Sequence, residues 1–338
     1  MRLLITGASG FIGRALVERL AAAGDGGVVT GRTPPAGVPR GWHAVSRDEV
    51  LGDGVECRGI DAIIHLEVRQ HVTRPTPADV RSFWDANVLG TRQWLQWADR
   101  NHVRRFVFTS SIKAVAAADN AERVAVIDCA DFTGGEPDMA YGRSKAWAEC
   151  AVCEWAAARP ERIAVILRPA PVYGPGHGAN LAAFARQVVA GRPCLIGSSD
   201  ARKSVVSRTN LIAAIAFAAA WDTPGCDVFN VSDRDTVSIG RLADMIATLA
   251  NAPRPKRIPE AAARLVALIG DALGKVSGLD CVLTTARMKQ LLSSSEFPSD
   301  KLIAAGFRHP QTTEQGLQEM VQWMIGRSPA CLEAEVPS

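Results

Sequence analysis

Short apolar runs alternate with helical patterns along the first half of the chain. Leu3 to Ile5, Val28 to Thr30, Asp61 to Leu66, Arg105 to Ser111 and Arg162 to Leu167 have the length and apolar character of buried parallel strands. Between them, Arg14 to Ala23 (ended by Gly24), Ser82 to Arg100 and Asp138 to Ala158 read as helices. The Ser82 to Arg100 pattern carries Trp84, Trp94 and Trp97, which read as packing residues. Pro34 to Gly54 is turn-rich and gives no clear element. Strands alternating with helices predict a doubly wound parallel sheet, with the strands' carboxyl ends along one edge. Beyond Pro175 the pattern loosens. Leu181 to Ala190, Leu211 to Trp221, Ile239 to Ala250, Glu260 to Gly274 and Thr284 to Leu292 read as helices. Val205 to Ser207 and Val228 to Ser232 read as strands, and Asn251 to Pro259 as a basic, proline-rich linker.

The junction between the first strand and first helix carries the first chemical signal. Gly7, Gly10 and Gly13 are spaced G-x-x-G-x-x-G. Such glycines serve a tight turn, close approach of backbone N–H groups to a pyrophosphate, and helix-on-strand packing. The helix N-terminus adds unpaired N–H groups and the positive end of its dipole. A dinucleotide is therefore the expected ligand. The second strand ends in Thr30, Gly31 and Arg32, with no acid to hold ribose hydroxyls, and Arg32 can take a 2′-phosphate in a fork. That favours NADP over NAD.

The second signal is Tyr141 and Lys145, four apart and so on one helix face. A phenol is a poor acid or base at neutral pH, and a nearby ammonium favours its phenolate. Ser111, at a strand end, can orient the same substrate oxygen. The chain has only two tyrosines, Tyr141 and Tyr173, both in motif-like contexts.

Composition narrows the class. The 338 residues are 47% hydrophobic and 22% charged, fitting a globular chain of one large α/β domain or two domains sharing a core. A net charge of +3 is too small to imply nucleic acid or a membrane surface as partner. The longest apolar stretch, Leu211 to Trp221, is too short for a bilayer. The first strand begins at the N-terminus, so no signal peptide is expected. Cys150 and Cys153 form a C-x-x-C with no second pair, which reads as two small residues on a helix face. No metal is expected, and the chain reads as a reduced, cytoplasmic protein.

Taken together, the motifs resemble the extended short-chain dehydrogenase/reductases, the NAD(P)-dependent nucleotide-sugar epimerase/dehydratase group. The resemblance covers nearly the whole chain. Its T-G-x-x-G-x-x-G is Thr6 to Gly13, its D-x-V-x-H-L-A run is similar to Asp61 to Glu67, and its N-V-x-G-T is Asn87 to Thr91. Ser110 and Ser111, Y-G-x-S-K at Tyr141 to Lys145, and R-P-x-x-V-Y-G-P-G at Arg168 to Gly176 complete the set. The resemblance implies a Rossmann-type doubly wound parallel sheet with a smaller C-terminal α/β substrate-binding region. Residues 1–174 would bind NADP(H), with 205–232 returning to that domain; 175–330 would mainly bind substrate, and 331–338 form a tail. It implies cofactor contacts from Gly7, Gly10, Phe11, Ile12, Gly13, Arg32, Leu66, Tyr141, Lys145, Pro169 and Val172. Ser111, Tyr141 and Lys145 would be catalytic, Ser111, Asn180 and Arg202 would contact substrate, and two helices per chain, one bearing Tyr141, would form a homodimer.

Arg105 to Lys113, His71 to Arg74 and Arg202 to Val206 with Asn210-Leu211 are similar to a bacterial branch of 4-ketoreductases and 4-epimerases of UDP-linked N-acetylated 6-deoxyhexoses used in surface polysaccharides. The expectation is an NADPH-dependent reductase of a nucleotide-linked 4-ketosugar. An NAD-dependent 4-epimerase and a reductase of a small non-nucleotide ketone stay open, while the complete Ser111, Tyr141 and Lys145 set argues against a non-catalytic sensor. Three departures from the family pattern stand out. Ile112 and Lys113 occupy the positions of the Asp-Glu pair of 4,6-dehydratases, which argues against dehydration. Glu67 replaces a small residue beside the expected cofactor path, where a carboxylate must point away or pair with Arg69 or Lys113. Ser207-Arg208-Thr209 lacks the acid often found before Asn-Leu.

Overall fold

A computed structural model describes residues 1–326 except 32, 53–56, 58, 71, 73–74, 116–138, 177–180, 193–194 and 278–283. In chain order the first elements are β1 (Arg2–Thr6), α1 (Phe11–Ala22), β2 (Gly26–Gly31), β3 (Trp42–Ser46), α2 (Arg47–Leu51), β4 (Ala62–His65) and α3 (Pro77–Phe83). A π-helical turn, Trp84–Leu89, joins α3 to α4 (Gly90–Arg100). Then come β5 (Arg105–Thr109), a 3₁₀ turn Ile112–Ala114, α5 (Ala140–Ala157), β6 (Ile163–Pro169), β7 (Val172–Tyr173), α6 (Leu181–Val189), β8 (Leu195–Ile196), β9 (Arg202–Lys203) and β10 (Val206–Ser207). The chain ends with α7 (Arg208–Ala219), β11 (Gly225–Val231), β12 (Val237–Ser238), α8 (Ile239–Leu249), β13 (Arg257–Ile258), α9 (Glu260–Ser277), α10 (Thr285–Leu292), α11 (Asp300–Ala304) and α12 (Thr313–Ile325).

The residues cluster into two compact units: Met1–Ala170 with Asn210–Val231 and Ser299–Arg308, and Pro171–Thr209 with Ser232–Pro298 and His309–Ser338. The first unit is built on a seven-stranded sheet of order β11-β6-β5-β4-β1-β2-β3. Every neighbouring pair is parallel. Helices cover both faces of such a sheet, so its central strands are apolar throughout: Leu3, Leu4 and Ile5 of β1 and Ile63 and Ile64 of β4 are fully buried. One core cluster joins Leu4, Ile63, Phe106, Phe108 and Ile166 of the strands to Trp94, Trp97, Val152 and Trp155 of α4 and α5. Trp94 and Trp97 are therefore packing residues, as expected.

The turn-rich stretch before Gly54 holds β3 and α2. Ser46 caps α2 and Glu49 closes a capping box. The helix expected over Ser82 to Arg100 starts earlier, at Pro77, behind a Thr76–Asp79 capping box. Cys153 of α5 is joined to Cys226 of β11 in a disulfide, Cα to Cα 5.4 Å. This corrects the expectation of unlinked, reduced cysteines there. The packing of α5 on the sheet brings together residues 73 apart, which no local spacing reveals. Neither Cys57 nor Cys150 takes part in this bond, and Cys57 is buried.

The second unit has its own core, in which Leu181, Ala185 and Val188 of α6 meet Leu242 and Ile246 of α8 and Leu317, Met320 and Met324 of α12. Tyr173 lies here, donating to Asp233 Oδ2 at 2.6 Å and to the Thr313 carbonyl at 3.2 Å. Among the described residues no helix is long and apolar enough to cross a membrane, and no cluster of side chains is suited to a metal ion.

Candidate active site

Everything expected to hold a dinucleotide begins with the turn from β1 to α1. Gly7 has φ +69°, and a Cβ there would lie 2.9 Å from the backbone of Leu66 and Glu67. A Cβ at Gly13 would lie 2.6 Å from Ala8 Cα and the Gly7 carbonyl. The turn thus closes only because these positions lack side chains. Gly10 caps α1 without any side-chain hydrogen bond, so no side chain screens the positive end of the α1 dipole from an anion. Phe11 and Ile12 start the helix, half-buried, and Leu66 follows β4, also half-buried. Thr30 Oγ1, at the carboxyl end of β2, is buried with no partner. A glycine cradle, an uncapped helix start and an orphaned hydroxyl at the adjacent strand end fit a dinucleotide. Arg32 lies outside the described residues.

Behind the turn, a buried hydrogen-bonded chain links β1 to α5. Thr6 Oγ1 lies 2.7 Å from His65 Nδ1, and His65 Nε2 lies 3.1 Å from Thr91 Oγ1. Thr91 donates to the Asn87 carbonyl at 2.7 Å, Asn87 Nδ2 donates to Ser144 Oγ at 2.9 Å, and Ser144 donates to the Tyr141 carbonyl at 2.7 Å. Burial, with lesser contributions from the Lys145 and Arg47 charges, holds the His65 imidazole well below its usual pKa, so it serves as a neutral bridge. Asn87 also clasps the Arg69 backbone, accepting from its N–H at 2.8 Å and donating to its carbonyl at 3.2 Å. The π-helical turn places Asn87 there.

Tyr141, Lys145 and Ser111 come together. Tyr141 opens α5, and its phenol is hydrogen-bonded to the Ser111 side chain. Desolvation pushes the phenol up to about 12, with the Ser111 hydrogen bond pulling the other way. Gly142 lets α5 approach the 3₁₀ turn, since a Cβ there would lie 2.2 Å from the Lys113 carbonyl. Lys145 is 1% exposed, donates to the Thr109 carbonyl at 2.8 Å, and lies 4.2 Å from the Phe108 ring centre. Burial brings its amine down to about 7, against the attraction of Glu149.

Glu149, one turn further along α5, is the part sequence reasoning missed. Its fully buried carboxylate takes a fork from Arg168, Nε at 2.9 Å and Nη2 at 2.5 Å, and a hydrogen bond from Ser110 at 2.5 Å. The signal was present: Tyr141, Lys145 and Glu149 recur every four residues, and an acid on a buried helix face needs a cation.

Glu67 also finds its account. It pairs with Arg47, Nε to Oε1 at 3.2 Å, and accepts from Trp94 Nε1 at 3.1 Å. Neither Arg69 nor Lys113 is its partner: Arg69 pairs with Asp79 at 3.2 Å. Of the remaining expected contacts, Pro169 is buried at the end of β6 and Val172 is half-buried in the second unit. Arg202, also in the second unit, pairs with Glu296 at 3.0 Å and donates to the Thr236 carbonyl at 2.7 Å. Asn180 lies outside the described residues.

Three comparisons bear on this arrangement. The family model described as the NAD dependent epimerase/dehydratase family matches residues 3–232. The chain is 25% identical to the N-acetyl-alpha-D-glucosaminyl-diphospho-ditrans,octacis-undecaprenol 4-epimerase of Escherichia coli O157:H7, over 95% of this chain and 94% of that one. It is 29% identical to the UDP-glucose 4-epimerase of Vibrio cholerae, with the same coverage of 95% and 94%. The fold matches the solved UDP-N-acetylglucosamine 4-epimerase of Bacillus cereus at a TM-score of 0.68 and 19% identity, covering 96% of this chain and 100% of that one. With its glycine turn, parallel sheet and strand order in place, the chain belongs to the NAD-dependent epimerase/dehydratase family and is an enzyme of the extended short-chain dehydrogenase/reductase type.

Proposed function

We propose that the chain is a 4-epimerase of a sugar carried on a diphosphate, with Ser111, Tyr141 and Lys145 as its catalytic residues. The observation that carries this reading is the hydrogen bond between Tyr141 and Ser111 on the helix face where Lys145 is anchored to Thr109. The full-length likeness to two 4-epimerases supports the substrate class. The β1–α1 turn would hold the dinucleotide phosphates, and Lys145 the nicotinamide ribose. Bound there, the nicotinamide supplies a reversible hydride acceptor. In its phenolate form Tyr141 takes the proton of the sugar hydroxyl, and as the phenol it later returns that proton to the same oxygen. Ser111 holds that oxygen by a hydrogen bond throughout. A charged Lys145 lowers the cost of the phenolate. The ketosugar must turn between the two hydride steps, so the site must hold the carrier diphosphate more firmly than the ring.

A second reading, the NADPH-dependent 4-ketosugar reductase, is favoured by Thr30-Gly31-Arg32 and the absence of an acid there. The two differ in net redox. The test is to release and identify any nucleotide retained by the purified chain, then to supply UDP-N-acetylglucosamine or UDP-glucose without added cofactor. Retained NAD and inversion at C4 without net change in reduced nicotinamide support the epimerase. An empty site, with NADPH consumed mole for mole by a 4-ketosugar, overturns it for the reductase. Arg32→Ala should then erase the preference for NADPH.

A further inference from the structure

Helix α9 of the second unit is packed inside out. At 100° per residue, Ala263, Ala267 and Gly270 fall on one narrow arc, and these are the buried ones among its residues up to Ala272. The alanines meet Ile196 and Met288 in a small cluster with Ile258 and Leu292. The large apolar residues fall on the opposite arc, roughly 160° wide. There Leu265 is 61% exposed, Val266 52%, Leu268 61% and Ile269 51%. Ala261, Ala262 and Ala272 are exposed on the same arc. These four residues are the densest group of exposed large hydrophobics among the described residues. Scattered exposed leucines need no explanation, but a contiguous apolar face bigger than the face that packs does.

The charges around this face say what covers it. Between Arg254 and Lys275 the chain carries five basic residues, Arg254, Lys256, Arg257, Arg264 and Lys275, against two acids. Both acids are occupied: Glu260 pairs with Arg264 at 2.6 Å, and Asp271 accepts from the Thr285 backbone at 3.2 Å. Arg254 and Lys256 are exposed immediately before the helix. The whole-chain charge of +3 averages this away, which is why composition alone argued against a membrane surface. A second copy of the chain would bring one basic flank against another in a two-fold contact, which is unfavourable. An apolar helical face with Arg254 and Lys256 exposed just before its N-terminus suits a helix lying in the plane of an anionic interface.

We infer that the outward face of α9 is a docking surface for an anionic lipid bilayer, with Leu265, Val266, Leu268 and Ile269 entering the interface and Arg254 and Lys256 meeting lipid headgroups. Contact of this kind is peripheral and needs no spanning helix. It does not depend on which sugar is turned over.

The test is flotation of the full chain with vesicles of phosphatidylcholine alone, and of phosphatidylcholine and phosphatidylglycerol in equal parts. The chain should float with the anionic vesicles, less so in high salt, and stay behind with the neutral ones. Leu265→Asp/Leu268→Asp should weaken this binding by about tenfold or more, since two leucines no longer leave water. Arg254→Glu/Lys256→Glu, which leaves the apolar face intact, should weaken it in low salt alone. Both variants should bind dinucleotide as the parent does, because neither change touches the first unit. Absence of anionic binding in the parent chain overturns the inference, as does binding that both variants retain. A concentration-dependent dimer lost in Leu265→Asp/Leu268→Asp, without vesicle binding, would assign the face to a second copy. Vesicle binding is read without turnover, so it stands or falls separately from the proposed epimerisation.

Discussion

At the scale of single residues, the proposed chemistry and its pH range rest on the pair Tyr141 and Lys145. With the phenol near 12 and the amine near 7, the resting site at neutral pH holds a protonated phenol beside an amine close to its titration point. Tyr141→Phe keeps the ring, which packs edge-on against Phe83 at 5.8 Å, and removes the proposed proton carrier. Turnover should fall about 10²- to 10⁴-fold with dinucleotide binding little changed; kcat against cofactor affinity by titration separates the two. Lys145 carries a stability signature as well. Its folded pKa, about 7, lies below its unfolded value near 10.5, so between those pH values the unfolded chain holds a proton that the folded chain lacks. Unfolding free energy should therefore rise with pH across that window, by at most about 1.4 kcal/mol per unit from this group. Lys145→Met should flatten that part of the rise, measured by urea denaturation of both proteins near neutral pH and at mildly alkaline pH.

At the scale of elements, α5 ties the site together. It presents Tyr141, Lys145 and Glu149 along one face, and Glu149 fixes both Arg168 of β6 and Ser110 beyond β5. Arg168→Met leaves a carboxylate buried without its guanidinium and should cost about 3–5 kcal/mol. Glu149→Leu/Arg168→Met removes both charges and should recover much of that loss, as read from denaturation midpoints of the single and double variants. The Glu149 carboxylate raises the Lys145 amine, so Glu149→Gln should also move the stability rise of Lys145 to lower pH.

The same element shows what the sequence could disclose. The positions of Gly7, Gly13, Ser111, Tyr141 and Lys145 were readable because backbone geometry and helix period demand particular residues at particular spacings. The Glu149–Arg168 fork and the Glu67–Arg47 pair were not, since their partners meet only when separate strands and helices pack. Local rules would have found α2 and the true start of α3, because S-x-x-E at Ser46 and T-P-x-D at Thr76 mark both helix starts. The π-helical turn that delivers Asn87 has no such local mark.

On the scale of the whole molecule, the first unit is assembled from three separate stretches of chain. The chain leaves it after Ala170, builds part of the second unit, and returns at Asn210 to lay down β11 as the sheet's edge strand. An edge strand added after so long an excursion has neighbours on one side only, through its pairing with β6. The Cys153–Cys226 disulfide spans that excursion, closing a loop of 73 residues that contains it, and ties β11 to α5 beneath it. By the chain-entropy argument, closing such a loop stabilises the fold by about 4 kcal/mol at most. Reduction should therefore lower the thermal midpoint of the parent chain, while Cys153→Ser starts lower and does not respond to reductant. Because the glycine turn and the Tyr141–Lys145 face lie on β1 and the opening turns of α5, dinucleotide binding should survive reduction at moderate temperature. Thermal scans with and without a phosphine reductant, each run with and without NAD, test both halves. A dinucleotide affinity that collapsed on reduction at constant fold would show that the edge strand supports the cofactor cradle as well as the sheet.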